Sequence, residues 1–148
     1  MSRLEAWLSH GGTILVGGTG LVYAWMRYFL HPVDPFAVVN HPLQPLVQHA
    51  HIVVAPLLVF AAGLEWQRHA WKYWRRGIRK HRRSGVALLL TLAPMVVSGY
   101  LIQTASDGGW RKVWVGVHLA ASGLWLAGYL IHQLVHQLPR YRRTMDAG

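Results

Sequence analysis

Apolar and polar positions in this chain fall into long blocks instead of alternating residue by residue. Four apolar blocks, at about 7–30, 46–66, 84–104 and 113–138, are separated by shorter polar ones. Each is near the ~20 residues an α-helix needs to cross the hydrocarbon core of a bilayer. The pattern predicts an all-α protein: a single transmembrane domain, residues 1–148, folded as an integral membrane four-helix bundle. The first block is too long for a secretory signal, and Trp25, Arg27 and Tyr28 follow its small residues where a cleavage site would stand, so it is read as a retained helix. The second follows Pro45, a residue suited to a first helical turn. Pro56 and Pro94 fall inside the second and third blocks, where membrane helices tolerate a kink if neighbours satisfy the freed carbonyl.

Charge adds an orientation. Eight of the fifteen Lys and Arg residues lie between Arg68 and Arg83, and Arg140, Arg142 and Arg143 follow the last block. The 31–47 segment has none, and the 105–112 segment has Arg111 and Lys112. The positive-inside rule then puts both termini in the cytoplasm, with Arg27 weakly opposed, and the expected location is a bacterial inner membrane. Trp7, Trp25, Trp66, Trp71, Trp74, Trp110 and Trp114 lie near the block ends, as an interfacial aromatic belt would. The net charge of +10 does not point to nucleic acid. A basic cluster directly after an apolar block reads as topology and lipid-headgroup contact, so the first partner expected is the membrane itself.

Composition narrows the chemistry. With no cysteine, the chain cannot carry a Cys-x-x-Cys-His haem attachment, a cysteine-ligated iron–sulfur cluster or a disulfide. Any metal or cofactor chemistry falls to the ten histidines. His118 and His132 stand fourteen residues apart within one apolar block, which on a helix puts them on one face about 21 Å apart along the axis. Imidazole inside a membrane span is costly and marks function by default. Two on one face, near opposite ends, fit axial ligands of two haems.

A six-coordinate haem needs two imidazoles at matching depth. His51 lies about as far into the second block as His118 into the fourth, and a small residue follows each one turn later, Ala55 and Ser122. His49 competes with His51 but points to another side of the helix. In the other layer His132 would pair with His10, which precedes Gly11, Gly12, Gly17, Gly18 and Gly20, a surface flat enough for a ring. That run could equally be a small-residue helix-packing face. His69 with His136 is the rival inner pair, each eighteen residues beyond His51 and His118. For His31, His41 and His81 the plain reading is interfacial chemistry. For His10, His118 and His132 the plain alternative is a buried histidine bonded to a neighbouring helix.

This pattern resembles the four-helix di-haem b-type cytochrome subunit of respiratory formate dehydrogenases and membrane-bound hydrogenases. The resemblance is carried by the His118-x13-His132 spacing, by Val-His118-Leu-Ala-Ala-Ser-Gly and Ile-His132-Gln-Leu-Val-His136, and by Val97-Ser98-Gly99-Tyr100. It implies that helix four supplies one histidine to each haem b. The outer haem would be completed by His51 or His49, and the inner by His10. The implied function is electron transfer between an extracytoplasmic redox protein or catalytic subunit and the quinone pool, as a subunit of an oxidoreductase complex, possible oligomers included. Bis-histidine ligation excludes oxygen chemistry, and one haem instead of two is the lesser form. Arg111 and Lys112, with Arg68 or Arg140, are the candidates to meet the propionates, although ordinary interface anchoring is the plainer reading of each.

A quinone also needs a proton-exchanging group. Glu65 is the one acid inside a predicted span, with Tyr100 and Gln103 as a weaker pair near the outer haem. The 31–47 loop, charged only at Asp34, would suit docking a partner protein. Two other functions fit parts of the pattern: a haem-free membrane anchor or assembly subunit, and a transporter in which histidines relay protons or a metal ion. The anchor leaves His118 and His132 unexplained, and the transporter lacks acids paired with the histidines.

Overall fold

The computed structural model describes residues 3–32, 34–67, 71, 75 and 82–145, and every regular element among them is helical. Four long α-helices run in order: α1 (Arg3–Tyr28), α2 (Gln44–Glu65), α3 (Arg82–Thr104) and α4 (Gly108–Met145). The chain divides into two compact units, Met1–Arg76 and Gly77–Gly148. In the first, α1 packs along α2; in the second, α3 packs along α4.

All four helices start two to five residues before their apolar blocks, and the last also ends beyond its block, whereas the first three end within about two residues of theirs. Pro45 falls in the first turn of α2, where its missing N–H costs no helical bond. α4 starts at Gly108, five residues before the apolar block, because Asp107 caps it. The Trp110 N–H donates to Asp107 Oδ1 at 2.9 Å, and the Arg111 N–H to the Asp107 carbonyl at 3.0 Å. That cap outweighs the cost of Gly108 and Gly109 in the first turn. At its other end α4 runs beyond Leu138, to Met145.

Three segments, Gln44–Glu65, Gly85–Thr104 and Gly108–Leu134, are long and apolar enough to cross a membrane. α1 has the length, at 26 residues, but Ser9, His10, Thr13, Thr19 and its glycines dilute its apolar content. The surfaces these helices leave uncovered are oily: Leu21, Val53, Phe60, Leu90, Leu124 and Ile131 are all more than half exposed. Outward faces this apolar fit lipid contact, the pattern of a membrane protein.

Within the first unit the α1 face is small and polar. Ser9, Gly12, Thr13 and Val16 are buried there, against Leu58 and Ala61 of α2. A Cβ on Gly12 would lie 3.5 Å from the Leu58 Cα, an ordinary contact distance, so the glycine faces the α2 backbone with room for little more than a methyl group. The loop is tied to both helices: Asn40 Nδ2 donates to the Arg27 carbonyl at 2.8 Å, and the Asn40 N–H to the buried Gln44 Oε1 at 3.2 Å. The second unit buries the larger side chains of Met95 and Trp125 beside the small Ser98 and Ala121, with the Trp125 ring stacked on Tyr129 at 5.5 Å.

Candidate functional site

In the first unit, His51 of α2 is half-buried and reaches α1 with one ring nitrogen. Its Nδ1 lies 3.1 Å from the Val16 carbonyl oxygen and 3.2 Å from Thr19 Oγ1. A carbonyl oxygen can only accept, so Nδ1 carries the proton and donates it. In the neutral ring the lone pair is then on Nε2. The Thr19 hydroxyl donates back along its own helix, to the Leu15 carbonyl at 2.6 Å with the Val16 carbonyl at 3.2 Å, so its oxygen acts as acceptor toward the imidazole. Gly20 lies under the ring: a Cβ there would come within 2.9 Å of His51 Cε1, closer than real side-chain contacts allow.

The second unit repeats this seat. His118 of α4 is half-buried, and its Nδ1 lies 2.9 Å from the Met95 carbonyl and 3.2 Å from Ser98 Oγ on α3. Ser98, buried at 1% exposure, donates to the same Met95 carbonyl at 3.0 Å. A Cβ on Gly99 would lie 3.4 Å from His118 Cε1. In both units one turn of the preceding helix supplies a carbonyl at position i, a hydroxyl at i+3 and a glycine at i+4: Val16, Thr19, Gly20 and Met95, Ser98, Gly99. Residues at those offsets lie on one helix face, which lets a single ring meet all three.

The remaining candidates distribute as follows. His49 is exposed, on the side of α2 away from the seat. His10 on α1 and His132 on α4 are half-buried. Glu65, the last residue of α2, accepts the hydroxyl of buried Ser9 at 2.5 Å through Oε1. Tyr100 and Gln103 are exposed on α3, as are Arg111 and Lys112 on α4. Among the glycines of α1, Gly12 and Gly20 meet α2, whereas a Cβ on Gly11 or Gly18 would meet open space. Arg68, His69 and His81 lie outside the described residues, as do the side chains of His136 and Arg140.

Sequence reasoning did not find Thr19, Val16 and Met95; it named Gly20 only as part of a flat surface beside His10, and it met Ser98 and Gly99 only within a family likeness. The available signal was a Thr-Gly or Ser-Gly pair inside an apolar helix. The signal is weak, since Ser122–Gly123 in α4 has the same form without such a seat. Comparison with protein-family models, with curated proteins and with solved structures gave no match.

The seats bear directly on cofactor fit. An imidazole that gives its Nδ1–H to a fixed backbone acceptor presents its Nε2 lone pair in a set orientation, which is how metal-bound histidines are held. The same bonds would satisfy a purely structural histidine, and the two readings part at Nε2. Among the described residues no group of three or more His, Cys, Asp or Glu side chains could hold a metal ion.

Proposed function

We propose that this chain is a membrane-embedded b-type cytochrome, similar to the di-haem subunits of respiratory formate dehydrogenases and hydrogenases. In this reading His51 and His118 would hold one haem, and His132 with His10 a second. The observation that carries it is the repeated seat, with Nδ1–H of both His51 and His118 given to a backbone carbonyl. When bound, bis-histidine haem supplies reversible one-electron transfer without an open iron position.

The chain's own residues do the rest. The Val16 and Met95 carbonyls fix ring orientation and leave Nε2 as the ligating atom. Gly20 and Gly99 keep the space beside each ring clear of side chains. The apolar helices keep water from the ligands and support a low dielectric. Glu65, held by Ser9, is the proton-exchanging group for a quinone. Both termini are cytoplasmic, electrons pass between an extracytoplasmic redox protein and the quinone pool, and the membrane is the bacterial inner one. The basic 68–83 segment supports that orientation.

The test is the visible spectrum of the full chain purified in mild detergent from haem-replete cells, with a haem-to-polypeptide assay. About two haems per chain, with sharp b-type bands on dithionite reduction, is the expected result, and His118→Ala should remove the outer one. A ratio near one would retain the His51–His118 site and remove His10 and His132. A folded but colourless protein would overturn the proposal in favour of a haem-free anchor.

A further inference from the structure

The two imidazole seats contain more than a ligand needs. A backbone carbonyl alone would fix the tautomer, yet both seats add a hydroxyl at the same offset, Thr19 in α1 and Ser98 in α3. The hydroxyls are not passive neighbours. Each donates into its own helix, to carbonyls that include the one the imidazole uses, and this turns its oxygen toward the ring nitrogen. Nδ1–H therefore lies between two acceptors, at 3.1 and 3.2 Å in the first unit and at 2.9 and 3.2 Å in the second. The side chains differ, Thr against Ser, as do the residues around them. The shared feature is the hydroxyl itself, at i+3 from the carbonyl and immediately before the glycine.

We infer that Thr19 and Ser98 are positioning residues that tune the two imidazoles, each as a second acceptor for Nδ1–H. The inference rests on the cytochrome reading for its purpose, though its geometry does not. A second acceptor draws the Nδ1 proton further from the ring and makes Nε2 a more electron-rich donor. An electron-rich ligand favours the oxidised metal. Removing the hydroxyl reverses this, while the carbonyl still holds the ring in place. One neutral hydrogen bond contributes on the order of 1 kcal/mol, so each loss should shift the oxidised-to-reduced ratio at fixed potential toward the reduced form by up to about fivefold.

The experiment uses the full chain labelled with 15N-histidine. Ring nitrogen resonances are read in the haem-free protein, and a potentiometric titration follows after loading with haem b. The variants are Thr19→Val and Ser98→Ala, with Thr19→Ser and Ser98→Thr as conservative controls. The expected result is an Nδ1–H tautomer at both histidines. Thr19→Val should move only the His51 resonances and Ser98→Ala only those of His118, and the controls should restore each. A native Nε2–H tautomer at either histidine, or resonances unmoved by hydroxyl removal, overturns the inference. If the resonances respond as expected but the chain takes up no haem, the hydroxyl role stands and the cytochrome reading falls. If haem binds and the potentials ignore both hydroxyls, the inference falls and the cytochrome reading stands.

Discussion

The α1–α2 and α3–α4 pairs hold their histidines alike and hold themselves together differently. In the first, α1 meets α2 through Ser9, Gly12 and Thr13, with Gly12 set against the Leu58 backbone. In the second, Met95 and Trp125 supply bulk beside the small Ser98 and Ala121. The contrast extends one layer further along. Fourteen residues beyond His118 stands His132, but fourteen beyond His51 stands Glu65, bonded to Ser9. A common seat on two unlike interfaces indicates that the seat is required in its own right and is not a by-product of one way of packing helices.

Four substitutions would sharpen or break that contrast. The largest effect should come from Trp125→Ala. It removes the main space-filling side chain of the second pair and should lower stability by about 3 kcal/mol, the low end for aromatic truncation in a packed interior. Detergent-unfolding midpoints would read it. A loss below about 1 kcal/mol would mean that bulk is not what holds α3 to α4.

Gly20→Ala comes next. The added Cβ would sit 2.9 Å from the His51 ring, which cannot retreat without stretching its bonds to Val16 and Thr19. Overpacking of this kind costs about 1–3 kcal/mol. Gly99→Ala, with 3.4 Å available to His118, should cost clearly less. Equal losses in the two variants would show that the tighter first seat is not a real difference between the pairs.

The smallest effect should be a gain. Thr13 Oγ1 is buried in the first pair with no hydrogen-bond partner among the described residues. Replacing an unsatisfied hydroxyl with an isosteric methyl is neutral to stabilising, by up to about 1 kcal/mol. Thr13→Val should therefore hold or raise the unfolding midpoint. A drop would mean that this hydroxyl meets a bound water.

Much of the helical layout was legible in the sequence because a long apolar helix is marked by local composition. The apolar blocks located all four helices to within a few residues at most ends. They failed at the start of α4, where Gly108–Gly109 read as loop and the Asp107 cap was overlooked. His51 and His118 stood out because an imidazole within an apolar span is conspicuous in itself. The distinction between His49 and His51 was weaker, since spacing gives only relative angle, and the contact with α1 is what separates a half-buried ring from an exposed one. Glu65 was conspicuous for its charge, but nothing near it in the sequence pointed to Ser9, 56 positions away.

What the sequence by itself determined, then, is the set of helices, their apolar surfaces and the identity of the conspicuous imidazoles, all properties of residues within a few turns of one another. What only the tertiary structure decided is the partner of each imidazole. Val16 and His51 are 35 residues apart, Met95 and His118 are 23 apart, and the acceptor in each case is a backbone carbonyl, a group every residue carries. A hydrogen bond to the main chain leaves almost no mark on residue identity, so the seat could be seen only once the helices were packed.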